Sequence, residues 1–452
     1  MKKSPKNYFK NFLTFVVTFS IFSLCLISCN SNNSEQKDVE IDPKNKFPTA
    51  DSDNGGLVLP ENFGAIALTD SIGRARHIAV NDQGNIYVKM RRLADDKGVL
   101  HLKDSTGNGK LDISSGFGDF GGTGIAIYKN YLYCTSDSAI YRFKMENGIV
   151  KPNTSPDTIV KGFIVQRAHA SKPITFDGNG NMYVTIGAPS NACQESPRSP
   201  GSKGFDPCSQ LDLQAGIWQF KAEKLNQTLQ EDGHRYATGI RNAVAIDWNF
   251  NDNSLYALQH GRDQLSHLFP EYYTQEQSAE LPAEEFLKIA DGDDFGWPYC
   301  YYDQFQEKKV LAPEYGGDGK KVERCEGITL PILAFPGHWA PNDLLFYKGD
   351  QFPEKYKNGA FIAFHGSWNR APFPQQGYFV AFVSFKDGKP QKDWERFAEG
   401  FTQVDSVMST NDAKFRPVGL AEGSDGSLYI SDSAKGKIWR VIYYGEKLAL
   451  KD

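Results

Sequence analysis

The sequence predicts an all-β fold, a six-bladed β-propeller with long loop insertions, and three observations carry that expectation. An apolar strand, a turn rich in Asp, Asn or Gly and a second aromatic strand recur six times along the chain. Aromatic residues reach 13%, with 31 Phe and 21 Tyr against 5 Met, a composition that suits strands better than helices. The 42 glycines supply turn positions that accept positive φ. With 452 residues, 40% of them hydrophobic, the chain can bury a large core, so disorder and small disulfide scaffolds are excluded. A net charge of −5 with no basic block argues against nucleic acid as a partner.

The N-terminus reads as a targeting segment rather than as fold. Lys2, Lys3, Lys6 and Lys10 precede an apolar run from Phe12 to Leu26. The next residues, Leu26-Ile27-Ser28-Cys29, look like a bacterial lipobox, in which Cys29 takes the lipid after residues 1–28 are removed. An ordinary signal peptide with an incidental Cys is the alternative, and the apolar run is short for a membrane anchor. Residues 29–55 are polar and read as a lipidated Cys with a flexible tether, residues 56–445 as the propeller and 446–452 as a tail. The expected product is an exported lipoprotein, periplasm-facing or on the cell surface, held to a membrane by its N-terminal lipid.

Six hairpin patterns follow in order: 78–88, 125–134, 174–184, 245–258, 344–364 and 419–432. Several are trailed by a third strand, at 139–143, 216–220, 378–385 and 437–444. A propeller must close, and residues 56–70 offer the strand that completes the blade begun at 419. Insertions are expected at 185–215 and 262–330, and the best helical pattern, SAELPAEEFLKIAD at 278–291, falls in the second. A pair of β-sandwiches is the competing architecture. Cys193 and Cys208 bracket a loop rich in Pro, Gly and Ser, which favours their pairing in an exported chain, as it favours Cys300 with Cys325. Cys134 lies in a strand pattern and is expected as a buried free thiol. There is no CxxCH for covalent haem.

Loops at propeller strand ends converge on the axial channel, so polar residues next to inner strands are candidate ligands. His169 precedes the strand at 174 and can exchange a proton at neutral pH, although a solvated loop histidine is the plain alternative. Arg241 and Asn242 lead another inner strand, where a guanidinium is either an ion-paired rim residue or a carboxylate clamp. His260, Gly261, Arg262 and Asp263 end the strand LYALQ, where a glycine lets backbone carbonyls approach a hard cation, although a turn with an incidental His is the plainer reading. Lys414, Arg416 and Arg370 repeat the placement of a cation beside a strand, which suggests a ligand with several carboxylates, with scattered surface cations as the plain alternative. The stretch DSTGNGKLD at 104–112 has partial calcium-loop spacing but lacks the terminal Glu, so a polar hairpin is preferred.

The segments TGIRNAVAIDW, LQHGRD, FGWPYC, FHGSWNR and FRPVGLAEGSDGSLYISD, in that order, resemble the glucose/sorbosone dehydrogenase family from about residue 56 to 445. The resemblance implies a propeller that binds pyrroloquinoline quinone (PQQ) at the channel mouth, with calcium (Ca2+) bridging cofactor and protein. In that light His169 matches the catalytic base and Lys172 falls where the family usually has Arg. Arg241 and Asn242 match the pair that holds the quinone, and His260 replaces a glutamine. Gly261 and Arg262 match the positions whose backbone carbonyls bind calcium, and His338 falls at a cofactor-contacting threonine. Lys414 and Arg416 match two cofactor-binding cations. Asn369 stands where the glucose enzymes have a lysine, so Arg370 is expected to supply that charge, and Asp303 is matched to a second, structural calcium.

These departures lie nearer the sorbosone branch than the glucose branch. The implied activity is oxidation of a sugar, an aldose at its C1 hydroxyl or a sorbosone-type aldehyde hydrate. Electrons would pass to a separate cytochrome or quinone. The rivals are a non-catalytic propeller that binds a glycan or a protein at the envelope, and a metal-dependent lactonase or hydrolase, whose channel would hold calcium with a cluster of Asp, Glu and Asn that the inner-strand ends do not offer.

Overall fold

The computed structural model describes residues 47–151 and 153–445. The signal segment, Cys29, most of the tether and the tail from 446 lie outside the described residues.

Among the described residues, six antiparallel sheets form the blades, each laid from the channel outward. Blade 1 runs Ala75–Val80, Ile86–Ala94, Lys97–Lys103 and Ile113–Phe117. Blade 2 runs Ile125–Tyr128, Tyr131–Thr135, Ala139–Lys144 and Asp157–Lys161. Blade 3 follows with Ile174–Phe176, Asn181–Ile186, Gly216–Lys221 and His234–Thr238. Blade 4 is Ala243–Asn249, Ser254–Gln259, Glu284–Ile289 and Leu333–Phe335. Blade 5 is Pro341–Phe346, Gly359–Phe364, Phe379–Lys386 and Glu395–Ala398. Blade 6 takes Pro417–Glu422, Leu428–Asp432 and Ile438–Tyr443 from the C-terminal end and its outer strand, Phe63–Thr69, from the N-terminal end. Phe63 pairs with Tyr443 in that closure, as the reading of 56–70 expects. The β-sandwich alternative is not what the chain adopts.

The aromatic excess is spent between blades. Each of the six blade interfaces holds its own apolar cluster. At the closure, Phe63 meets Phe352, Tyr356 and Phe397 edge-on, with ring centroids 4.8–5.3 Å apart. Toward the channel, carboxylates of inner strands fasten their neighbours: Asp247 Oδ2 accepts from Phe346 N–H at 2.8 Å and Asp343 Oδ2 from Leu420 N–H at 2.7 Å.

Two expectations need correction. The helical pattern at 278–291 is mostly strand: a helix covers Gln275–Glu280, Pro282 prevents its continuation, and Glu284–Ile289 pairs with Ser254–Gln259. The two glutamates that open this strand are buried, Glu285 on Lys309 at 2.6 Å and Glu284 on the backbone N–H groups of Gly261 and Ala340. The end of the segment read as tether is also fixed, by polar bonds and by Phe47, which packs against the cluster between blades 6 and 1. Asp51 N–H donates to the Ala65 carbonyl, its Oδ2 accepts from Ala67 N–H at 2.7 Å, and Trp439 Nε1 donates to the Gly55 carbonyl at 3.0 Å.

The insertions occupy 187–215, 260–283 and 290–332. Disulfides join Cys193 to Cys208 in the first and Cys300 to Cys325 in the last. Cys134 is a buried free thiol. The 104–112 stretch is a self-capped turn, its Asp104 carboxylate accepting from the N–H groups of Gly107, Asn108 and Gly109.

Candidate active site

Four of the six inner strands shift register at their first residues, between Ala75 and Ile78, Ala243 and Ala245, Pro341 and Asp343, and Pro417 and Gly419. Such bulges turn side chains away from the ladder, here toward the channel mouth. A cavity of ≈530 Å³ opens at that end. Its wall holds His169, Asn242, His260 and His338, together with Arg76, Arg91, Arg167, Arg198, Arg241 and Arg416. Six arginines face two carboxyl groups, Asp263 and Glu284, so the cavity of an acidic protein is itself strongly cationic.

His169 is held from two sides. Its Nδ1 lies 2.7 Å from the Ala188 carbonyl and donates to it, which leaves Nε2 as the proton-accepting nitrogen. Gln166 Nε2 donates to the carbonyls of Ala168, His169 and Gly187, fixing a loop in which His169 has φ 50°. A Cβ on Gly187 would stand 2.6 Å from the His169 Cβ, so the glycine is what allows the loop to lie against blade 3. Withdrawal from water, and then the Arg241 charge, lower the His169 pKa to about 3. The imidazole is therefore neutral at pH 7.

Arg241 is buried and fully engaged. It donates to the Gly261 carbonyl at 2.8 Å, to the Asn191 carbonyl and side chain at 3.1 Å, and to Asp263 Oδ2 at 2.9 Å. Burial raises the Asp263 carboxyl, but Arg241 and Arg198 outweigh that and hold it well below the usual range. Asn242 Nδ2 donates to His260 Nδ1 at 3.2 Å, while His260 Nε2 donates to the Pro341 carbonyl at 2.9 Å. Burial brings His260 down to about 4 and lifts the Glu284 carboxyl to about 8. His338 Nε2 donates to the Ser278 carbonyl at 2.8 Å. Arg416 donates to the carbonyls of His365 and Gly366 and to His365 Nδ1, whose protonation burial opposes.

Seven of the sequence-predicted residues line this wall: His169, Arg241, Asn242, His260, Gly261, His338 and Arg416. Lys414 borders an adjoining lobe. Four stand elsewhere. Lys172 is buried with its amine on the Ala170 carbonyl at 2.9 Å, and burial lowers it to about 8. The side chain of Arg262 is buried against Glu314. Arg370 pins the insertion helix through Ala279 and Glu280, so it does not replace the charge missing at Asn369, which itself reaches Asp263 Oδ1 at 2.6 Å. Asp303 caps its own hairpin turn, accepting from Phe305, Gln306 N–H and the Gln306 amide. Among the described residues there is no group of three or more His, Cys, Asp or Glu arranged for a metal.

Arg76, Arg91, Arg167, Arg198, Gln166 and Asn191 were not among the candidates. Arg76 had a readable signal, since it sits at the start of blade 1's inner strand as Arg241 and Arg416 sit before theirs. The others lie in loops or second strands whose approach to the channel depends on tertiary packing.

Fold and site together define a propeller whose channel mouth sets six arginines around a neutral imidazole. A family model described as TrAA12-like matches residues 57–444, and the chain belongs to that family. A protein of Borreliella burgdorferi is 31% identical over 211 residues, 46% of this chain and 48% of that one. A pyrroloquinoline quinone-dependent pyranose dehydrogenase of Coprinopsis cinerea is 26% identical over 185 residues, 35% of this chain and 24% of that enzyme. The matched stretches thus span about half and about a quarter of those relatives. The holo PQQ domain of the pyranose dehydrogenase from Coprinopsis cinerea superposes with a TM-score of 0.69 at 19% identity, covering 88% of this chain and 99% of that one, a likeness of fold.

Proposed function

We propose that the protein is a PQQ-dependent sugar dehydrogenase, an oxidoreductase that oxidises an aldose at C1 or a sorbosone-type aldehyde hydrate. The observation that carries this reading is the neutral, Nδ1-anchored imidazole of His169 in the same wall as six arginines. PQQ is a tricarboxylate, and the arginine-rich wall fits it; Arg241, Asn242, Arg416 and the neighbouring Lys414 would hold it. Calcium fits more narrowly. The Gly261 carbonyl expected to bind it accepts from Arg241, so a cation held by the Gly261 and Arg262 carbonyls requires Arg241 to turn from that carbonyl toward the cofactor. When bound, the quinone with its calcium supplies the hydride acceptor and the Lewis acid beside it.

The chain's own contribution is orientation and proton transfer. His169 Nε2 accepts the hydroxyl proton as the C1 hydride leaves, which turns an aldose into its lactone or an aldehyde hydrate into the acid. The Ala188 carbonyl fixes the tautomer that leaves Nε2 free, Gln166 fixes the loop that carries the ring, and burial with the Arg241 charge keeps that nitrogen unprotonated. The electrons then go to a separate cytochrome or quinone. A lipid on Cys29 would keep the enzyme at an envelope membrane, periplasm-facing or on the cell surface.

The test is dye reduction by the purified chain supplied with PQQ and calcium, across a panel of aldoses and aldehydes. The expected result is quinone-dependent turnover that falls by about 10²–10⁴ in His169→Ala. A correctly folded, quinone-loaded chain that reduces nothing and binds a glycan would instead be a non-catalytic propeller.

A further inference from the structure

Beside the His169 cavity lies a second lobe of ≈470 Å³. Arg76, Arg91 and Arg416 stand in both walls, and the second lobe adds Arg74, Lys414 and Lys435. No Asp or Glu lines it. Of its six cations, Arg91 has an ion-pair partner among the described residues, in Asp137, and the other five have none. Arg76 Nε is buried without a hydrogen-bond partner. Withdrawal from water, followed by the charges of Arg91, Arg416 and Arg74, lowers the Arg76 guanidinium to about 10. Crowded like charges around an open lobe raise the free energy of the empty protein, and an anion relieves them.

The cations proposed above for the quinone are Arg241, which lines the first lobe, Arg416, which stands in both walls, and Lys414, which lines the second. Arg74 and Lys435 line the second lobe and are not among them, so their charge is surplus to that task. The lobe is of small-molecule size. Its arginine forks suit an oxyanion group bound through two oxygens.

We infer that the second lobe is a subsite for an anionic group carried by the sugar, so that the preferred substrates are acidic sugars such as uronic acids. The inference rests on the sugar-oxidation reading and deepens it. A carboxylate and a phosphate share the required chemistry, and the probes below separate them.

The experiment is calorimetric titration of D-glucuronate, D-glucose 6-phosphate and D-glucose into the full chain, with and without saturating PQQ and calcium. The same titrations are run on an Arg74→Gln/Lys435→Gln variant, whose two side chains are exposed and whose folding is checked by circular dichroism. Glucuronate is expected to bind at least tenfold tighter than glucose in the presence of the quinone, and the variant to lose that margin. The ratio of kcat/KM for glucuronate over glucose should fall in parallel. Tighter binding of the phosphate, lost in the same variant, supports the subsite with phosphate as its group. Equal affinity for all three sugars overturns the inference, and so does displacement of glucuronate by PQQ, which would assign the lobe to the cofactor. If glucuronate binds and the variant loses it while no sugar is oxidised, the subsite stands and the dehydrogenase reading falls.

Discussion

Asp263 Oδ2 lies 2.9 Å from the Arg241 guanidinium and 2.7 Å from that of Arg198, while its Oδ1 takes the Asn369 amide at 2.6 Å. One buried carboxylate therefore ties the loop before blade 4, the disulfide-bearing insertion and a loop of blade 5 into one wall. Asp263→Asn keeps the shape and removes the charge, leaving Arg241 buried and uncompensated. Urea denaturation should show a loss of about 3–5 kcal/mol. A loss below about 1 kcal/mol would mean that the wall does not depend on this pair.

His169 should be silent in a pH titration. Its pKa is lowered to about 3, so its proton-accepting nitrogen stays free from pH 5 to 8. The His169 imidazole resonance, assigned by its loss in His169→Ala, is expected to stay flat across that range in the cofactor-free chain. A midpoint near 6.5 would contradict the burial and the Arg241 charge invoked here.

In the proposed mechanism Gln166 acts through His169, as a positioning residue. Gln166→Ala removes three hydrogen bonds that hold the 168–169 turn. We expect kcat to fall about tenfold with KM little changed, because orientation rather than binding is lost. Gln166→Glu, which keeps the length but loses the donors, should not rescue. Unchanged kcat in both variants would mean that Gln166 does not position His169.

Glu284 makes stability depend on pH in an unusual direction. Its buried carboxyl is raised from 4.5 to about 8, so the folded chain keeps a proton that the unfolded chain gives up. Stability from this group is intact below about pH 4.5 and falls as pH rises toward 8. Glu284→Gln removes the titration. Its stability relative to wild type should rise between pH 5 and 8, by at most about 1.4 kcal/mol per pH unit. A difference that does not change with pH would contradict the raised value.

The blades were legible in the sequence because each repeats the same alternation around a Gly- or Asn-bearing turn, and the closing strand because a propeller lacks one partner without it. The strand Glu284–Ile289 was not legible, since glutamates on a helical period look exposed until Lys309 and the Gly261 and Ala340 amides are seen to meet them. In the site, residues adjoining inner strands, such as Arg241, Asn242 and Arg416, were readable from position alone. Arg370 misled because adjacent residues in a loop point to different places: Asn369 faces the cavity and Arg370 the insertion helix. Arg198 and Gln166 act across long separations that no local pattern encodes.

In the proposed function the arginine-lined mouth is a quinone site. Calorimetric titration of the chain with PQQ, in calcium and in chelator, alongside His169→Ala and Arg416→Ala, tests it most directly. Tight binding is expected, strengthened by calcium, weakened by about tenfold or more in Arg416→Ala and preserved in His169→Ala. Correctly folded wild type that binds no PQQ in calcium would contradict it.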